Sequence, residues 1–299
     1  METLATGIFA TGILATITIG INPILAGFGG LVLSWHGLFT FIAVALSVFL
    51  VHRWGTREGM GGDPILSVAV WCIIGGIIGA RVLHIIDFWG TVYQPDPIRI
   101  IQVWQGGIAV IGAILGGFAG GSLYIIIRNS DRFLSLWQRF FRWAGEPHKA
   151  PLPGIGHLAD VATPAILISM AIGRIGDIIN GEHFARATTL PWGVFYTHPN
   201  SPGVVRAVSH PAVAYEIILD LAVLAIIWPL RHRLRPRGMV FVLYGALYSV
   251  GRFFLSFLRV EANVYVVGLN EAQIVSLLIM LVAVPLLVYK AQFVRPSAS

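Results

Sequence analysis

Charged and hydrogen-bonding residues gather near the ends of apolar segments in this 299-residue chain. The densest run is Gly173-Arg174-Ile175-Gly176-Asp177-Ile178-Ile179-Asn180-Gly181-Glu182, which closes an apolar stretch that already holds Asp160. An ionisable side chain in a membrane helix is costly to desolvate, so it faces a bundle interior or a wet cavity and takes a partner. Arg174 and Asp177 stand three apart on one helical face and can pair with each other. That pair alone does not account for the pattern, because charge recurs at a similar depth elsewhere. Arg81 follows Gly79 and Ala80; His210-Pro211 precedes Tyr215 and Glu216; Tyr248, Arg252, Ser256 and Arg259 form a stripe. Guanidinium groups gathered at one depth suit a phosphate or a carboxylate, which they chelate through two prongs. Taken singly, each arginine could equally form an internal ion pair or snorkel to the interface, the readings favoured for Arg81 and Arg259. Glu216 and Asp220, four apart, repel one another on one face, so at least one of them needs a partner.

The elements that must position these residues are membrane helices. With 56% hydrophobic and 11% charged residues, the composition excludes an ordinary soluble domain. Apolar runs long enough to span, about 20 residues each, are expected at 30–51, 65–86, 107–127, 157–179, 211–230, 238–258 and 272–289. The fold expected is therefore an all-α integral membrane protein of seven transmembrane helices. Residues 1–29 form an apolar arm, either interfacial or a further weak helix, and lack the basic start of a signal peptide. Residues 30–290 form the polytopic domain, and 291–299 a tail. Gly112, Gly116 and Gly120, with Gly75 and Gly79, predict two helices packed backbone to backbone. Residues 128–154 are basic, with aromatics at helical spacing, and read as a surface amphipathic segment.

Lysine and arginine number thirteen in the loops of one side and four in those of the other, which predicts an N-terminus outside and a C-terminus in the cytoplasm. The charged residues then share the outer half of the membrane, and the loop 182–210 forms an ordered extracytoplasmic cap over them. A net charge of +6 reads as topology and anionic-lipid contact, with no nucleic-acid partner needed. The single cysteine, Cys72, excludes an internal disulfide and a cysteine-based metal cluster, and no nucleotide loop is present; no cofactor or metal is expected.

At these residues the chain resembles bacterial prolipoprotein diacylglyceryl transferases. The family's central motif, roughly Gly-Arg-x-Gly-Asn-Phe-x-Asn-x-Glu, matches Gly173, Arg174, Gly176, Asn180 and Glu182. His210-Pro211 with Tyr215-Glu216 matches a second element, and Tyr248, Arg252 and Arg259 a third. Trp35-His36-Gly37, Gly106-Gly107, and Asp160 with Pro164 are further landmarks, in order over about residues 21 to 290. The chain departs from the pattern at Asp177, usually asparagine; Ile111, in many members a histidine proposed in catalysis; Ser256, commonly glutamate; Ala185, commonly glycine; and His36, usually tyrosine.

The resemblance implies an enzyme of the bacterial inner membrane that moves the diacylglyceryl group of phosphatidylglycerol onto the lipobox cysteine of a prolipoprotein signal peptide, releasing glycerol phosphate. The nucleophilic thiol comes with the substrate. Arg174 and Arg252 would hold the departing phosphate, with Arg81 as a further ligand. Asn180 and Tyr248 would hydrogen-bond the headgroup or glycerol, with Glu216 and Arg259 also at the substrate. His210, Glu182 and His36 all stand as candidate bases. Asp177 would orient Arg174, a task asparagine's amide oxygen could share. A lipid or small-anion transporter and a non-catalytic lipid-binding protein are the alternatives. A transporter would more often show inverted repeats, which are not found here.

Overall fold

No water is available within a bilayer to satisfy backbone polar groups, so apolar segments close their hydrogen bonds internally as helices. A computed structural model describes residues 16–28, 31–102, 106–107, 109–146, 148–181, 183–260, 264–265 and 267–294. Its helices are α1 (Trp35–Arg57), α2 (Gly62–Asp87), α3 (Val110–Arg128), α4 (Asp131–Phe140), α5 (Ile155–Asn180), α6 (Ala212–Leu230), α7 (Met239–Leu255) and α8 (Glu271–Lys290). All but α4 are long and apolar enough to cross a membrane, counting with α7 the tighter turn Ser256–Leu258 that prolongs it. The protein is an all-α integral membrane protein. Its surface carries side chains such as Phe41, Ile78, Leu281 and Val288, which lipid rather than water must solvate. The short α4 lies in the basic 128–154 segment, starts at the Ser130 cap, and leaves Leu136 and Phe140 exposed.

Short strands sit outside the spans. β2 (Ile24–Phe28) and β3 (Leu31–Ser34) pair antiparallel, so the first span begins later than its hydropathy suggests. Its start is set by Ser34, whose hydroxyl accepts a hydrogen bond from the Gly37 amide at 3.1 Å. β1 (Ile17–Ile19) runs parallel to β4 (Val194–Tyr196), fastening the N-terminal segment to the loop between α5 and α6. Whether an additional helix forms in the first twenty residues falls largely on positions 1–15, outside the described residues. β5 (Leu234–Arg235) and β6 (Gln292–Phe293) pair at the far end, joining the α6–α7 turn to the chain after α8.

Two helix pairs dominate the packing. α2 and α3 meet through their glycines: a Cβ added at Gly79 would lie 2.4 Å from the Gly112 carbonyl, and one at Gly116 would lie 2.3 Å from that of Gly75. Those contacts leave no room for any side chain, as the spacing predicts. α1 packs along α5, and α5 also meets α6 and α7 around a core of Leu167, Val223, Ile227, Val240 and Tyr244. Asp160 of α5 caps α7 from across the bundle, accepting from the amides of Gly238 at 2.7 Å and Phe241 at 3.1 Å. A buried carboxylate is satisfied there, and four orphan amides at a helix start lose two of their number.

Between the α1–α5 and α2–α3 pairs lies a cavity of about 520 Å³ that follows α5 from Ile155 to Asp177. Its walls are apolar for most of that length, with Val68, Gly117, Ile166 and Met170 among them. His36, Arg174 and Asp177 line its far end.

Candidate functional site

Glycine positions the site before any charged group does. Gly181 ends α5 in the left-handed conformation, with φ +72°. A Cβ there would also strike the Ser201 hydroxyl at 2.5 Å and the Tyr196 ring at 2.7 Å. Glycine alone tolerates that turn, and the turn folds the chain back so that His183 meets the end of α5. Gly176 does the same service between helices. Its missing Cβ would lie 2.8 Å from the His36 Cα and 2.9 Å from the Trp35 carbonyl oxygen, so α1 can approach until His36 touches Asp177.

The charged side chains form a closed ring. Arg174 donates from Nη1 to Asp177 Oδ2 at 3.0 Å, and its Nη2 pairs with Glu216 Oε2 at 2.7 Å. Arg252 Nη1 pairs with the other oxygen of Glu216, and Arg259 Nη1 lies 3.6 Å from that same oxygen. Arg259 Nη2 donates to His183 Nδ1 at 2.9 Å, and His183 Nε2 lies 3.3 Å from Asp177 Oδ2. His36 Nδ1 closes on the remaining Asp177 oxygen. The side chains of Arg174, Asp177 and Glu216 are each at most 6% exposed. Burial of so many charges is tolerated because each carboxylate is shared among several cations. The loop between α5 and α6 reaches the ring through a short bridge between Ala185 and Arg259.

The expected residues separate into those that join this ring and those that do not. Arg174, Asp177, Glu216, Arg252, Arg259 and His36 join it. Tyr248, buried on α7 one turn from Arg252, stands within electrostatic reach of Arg174. Asn180 holds its side-chain oxygen Oδ1 buried without a hydrogen-bond partner. Glu182 lies outside the described residues. His210 lies tilted against the Tyr215 ring, 6.1 Å between centroids, and contacts its hydroxyl at 3.4 Å, while that hydroxyl accepts from Trp192 Nε1 at 2.7 Å. Among the described residues no side-chain hydrogen bond or ion pair joins His210 to the ring.

Arg81, expected either to be held internally or to add a further phosphate ligand, has internal partners. Its guanidinium donates to the carbonyl oxygens of Arg99, Ile100, Gln102, Gly106 and Gly107, so its five N–H groups are spent on one loop. A headgroup would have to displace those carbonyls. Arg259, for which an internal ion pair or snorkelling was the simpler reading, pairs internally and joins Arg174 and Arg252 in the ring.

Sequence reasoning missed His183 and undervalued Asp220. His183 directly follows the Gly181 turn by two residues, and that turn was the signal. Asp220 is 1% exposed and both its oxygens lack hydrogen-bond partners. Tyr196, in the cap, donates to the Ile178 carbonyl at 2.8 Å; burial, with the Asp177 charge nearby, pushes its phenol up to about 12. It therefore stays a neutral donor at physiological pH, clamping the turn against α5.

Chemically, the arrangement offers permanently charged guanidinium groups and a long apolar space leading to one of them, Arg174. Residues 23–142 and 152–289 match the family model described as prolipoprotein diacylglyceryl transferase. Proteins called phosphatidylglycerol–prolipoprotein diacylglyceryl transferase are similar over most of the chain. The one from Trichormus variabilis is 32% identical, covering 86% of this chain and 85% of its own. The one from Dehalococcoides mccartyi is 32% identical over 91% and 95%, and that from Staphylococcus aureus 27% over 90% and 89%.

Proposed function

This chain belongs to the prolipoprotein diacylglyceryl transferase family, and we propose that the charged ring, whose Arg174 and Asp177 line the end of the long cavity, is where it performs the family's reaction. It is an enzyme that transfers the diacylglyceryl group of phosphatidylglycerol to a prolipoprotein. The acceptor is the thiol of the lipobox cysteine in the signal peptide, and glycerol phosphate leaves.

The observation that carries the site assignment is the coincidence of two solvents. A cavity of about 520 Å³ falls within the range of ligand pockets, roughly 300–1,000 Å³, and its apolar walls suit acyl chains. At its end Arg174 borders the charged ring, where Glu216 links it to Arg252 and its fixed positive charge. Arg252 is less committed than Arg174: one nitrogen pairs with Glu216, while Nε is buried without a hydrogen-bond partner. We assign Arg252 to the phosphate and Arg174 to holding the ring open beside the acyl cavity. As the carbon–oxygen bond breaks, charge grows on the phosphate oxygens, and donors already oriented there lower the barrier without reorganising. Asn180 Oδ1 would accept from a glycerol hydroxyl, and Tyr248 would complete the polar wall.

The excess of basic residues in one set of loops supports a site toward the outer face of the bacterial inner membrane, with residues 182–210 as its cap and residues 291–299 as a cytoplasmic tail. A signal peptide emerging across the membrane would present its cysteine from that side. Transfer of a labelled diacylglyceryl group from phosphatidylglycerol onto the cysteine of a lipobox peptide, by the purified protein in vesicles, tests this reading. Label that stays on the lipid while the peptide remains unmodified refutes it.

A further inference from the structure

Asp220 stands behind the charged ring without joining it. It lies one turn beyond Glu216 on the same face of α6 and is 1% exposed, and among the described residues neither of its oxygens has a hydrogen-bond partner. Nor is it part of the wall of the long cavity, so a lipid lying there does not reach it. A buried carboxylate without donors persists only as the neutral acid or in the field of nearby cations. The helices packed along α6 are α5 and α7. The groups that face Asp220 are Glu216 on its own helix, Arg174 on α5, and Tyr244, Tyr248 and Arg252 on α7. The two tyrosine rings lie 5.8 Å apart, and Tyr244 directs its hydroxyl to the Met170 sulfur at 3.5 Å. The positive charge near Asp220 therefore comes from two guanidinium groups, both already paired with Glu216.

A phosphodiester on Arg252 would offset one of those two charges. Coulomb forces are strong where the dielectric constant is low, so an anion that arrives at Arg252 is felt by a carboxylate that relies on the same cation. One of the buried acids has to give way. Glu216 is held by Arg174 at 2.7 Å and by Arg252, with Arg259 at 3.6 Å. Asp177 is held by Arg174 at 3.0 Å and by His36, with His183 at 3.3 Å. Protonating either would forfeit direct ion pairs. Asp220 has no such bonds to lose.

We propose that Asp220 is the exchangeable counter-ion of the phosphate site, ionised while Arg252 is unoccupied and neutralised by a proton when the lipid phosphate arrives. The assignment rests on Arg252 holding that phosphate, as assigned above. Asp220 acts through Arg252 and does not touch the lipid, so it is a positioning residue for the charge of the site. The exchange keeps the buried guanidinium groups close to neutrality with and without the lipid, which spares the bundle an unbalanced charge in either state. Linkage fixes the sign: a ligand that raises proton binding is itself bound more tightly where protons are abundant.

The test is calorimetric titration of short-chain phosphatidylglycerol into the full protein in phosphatidylcholine nanodiscs, without peptide, over a series of pH values and in two buffers of different ionisation heat. The wild type is expected to take up as much as about one proton per lipid bound, and its affinity to rise toward low pH by up to about tenfold per pH unit before levelling. Asp220→Asn, which is neutral at every pH, is expected to lose that uptake and to bind at high pH about as tightly as the wild type does at low pH. Asp220→Leu, the second variant should the first fail to fold, is expected to lose the uptake as well. Any proton taken by His36 or His183 beside Asp177 is common to wild type and variants. A purely structural role would change affinity at all pH values alike and leave the proton count as it was. Equal uptake in the wild type and a folded variant, or lipid binding by the wild type with no uptake, would overturn the assignment. A wild type that binds no phosphatidylglycerol sinks the parent reading and this one with it, whereas binding with an unaltered proton count in the variants sinks this one alone.

Discussion

Arg174 and Arg252 carry the same charge in the same ring, yet lysine should affect them differently. Arg174 spans two helices with two nitrogens, one 3.0 Å from Asp177 and the other 2.7 Å from Glu216. A lysine ammonium is a single point and can serve one of these carboxylates but not both in the same geometry. One charge-assisted hydrogen bond is lost, worth about 1.5–3 kcal/mol, and the released carboxylate stays buried. Because the bond joins α5 to α6, that loss falls on stability as well as on rate. Arg252 instead makes its ring contact through one nitrogen, which lysine can replace, and leaves Nε without a partner. Arg252→Lys should therefore melt close to wild type while losing the two-pronged phosphate contact, a loss of roughly ten- to 150-fold in kcat/KM. Arg174→Lys should lose both melting temperature and rate. The assay is initial label transfer in vesicles at matched protein, beside thermal melting followed by tryptophan fluorescence. Wild-type kcat/KM in Arg252→Lys would remove its phosphate role, and unchanged melting in Arg174→Lys would show that the ring does not brace the two helices.

Three further outcomes follow from separate parts of the molecule. Gly116→Val should lower stability by about 1–3 kcal/mol or prevent assembly, the cost of overpacking, because even its Cβ would lie 2.3 Å from the Gly75 carbonyl; Gly90→Ala, with open space around it, is the control. Melting curves that shift equally in the two would contradict the glycine interface. Asp220→Asn should be neutral or stabilising, since it removes an ionisable group whose two buried oxygens have no hydrogen-bond partners; a loss beyond about 3 kcal/mol, the upper range for an abandoned buried partner, would reveal a contact that Asp220 makes. Thiols introduced beside Trp192 and beside Arg233 should react with an impermeant reagent from opposite faces, outside and inside respectively; labelling of both from one face would reverse the orientation drawn from basic loops.

The helices were legible in the sequence because the bilayer simplifies the problem. A span must satisfy its backbone internally, so the length of an apolar run nearly decides the element. The α2–α3 interface was legible for a similar reason: Gly75 and Gly79, with Gly112, Gly116 and Gly120, have only one advantage over alanine in a helix, which is close approach. What could not be read was direction around the bundle. Arg81 and Arg174 look alike in sequence, each near the end of a span among small residues. One is surrounded by carbonyls of the loop at 99–107 and the other by carboxylates of two helices. The path of that loop depends on backbone geometry, which residue types barely record.

His36 and His183 show the same limit from the other side. Neither lies in the motif that holds Arg174, and one of them comes from the opposite end of the chain. Asp177 was read as the orienting partner of Arg174, for which asparagine would nearly suffice. A guanidinium and two imidazoles gathered on one carboxylate change that expectation, because a single amide oxygen has fewer acceptor sites to share among them. Hydropathy thus gives a charged residue its depth, while its azimuth comes from where glycine lets two backbones meet. In this protein Gly176 brings α1 to α5, and Gly181 turns the chain back over the helix end. Both glycines stand inside the run that holds Arg174 and Asp177, so the segment that supplies the charge also supplies the room for its partners to reach it.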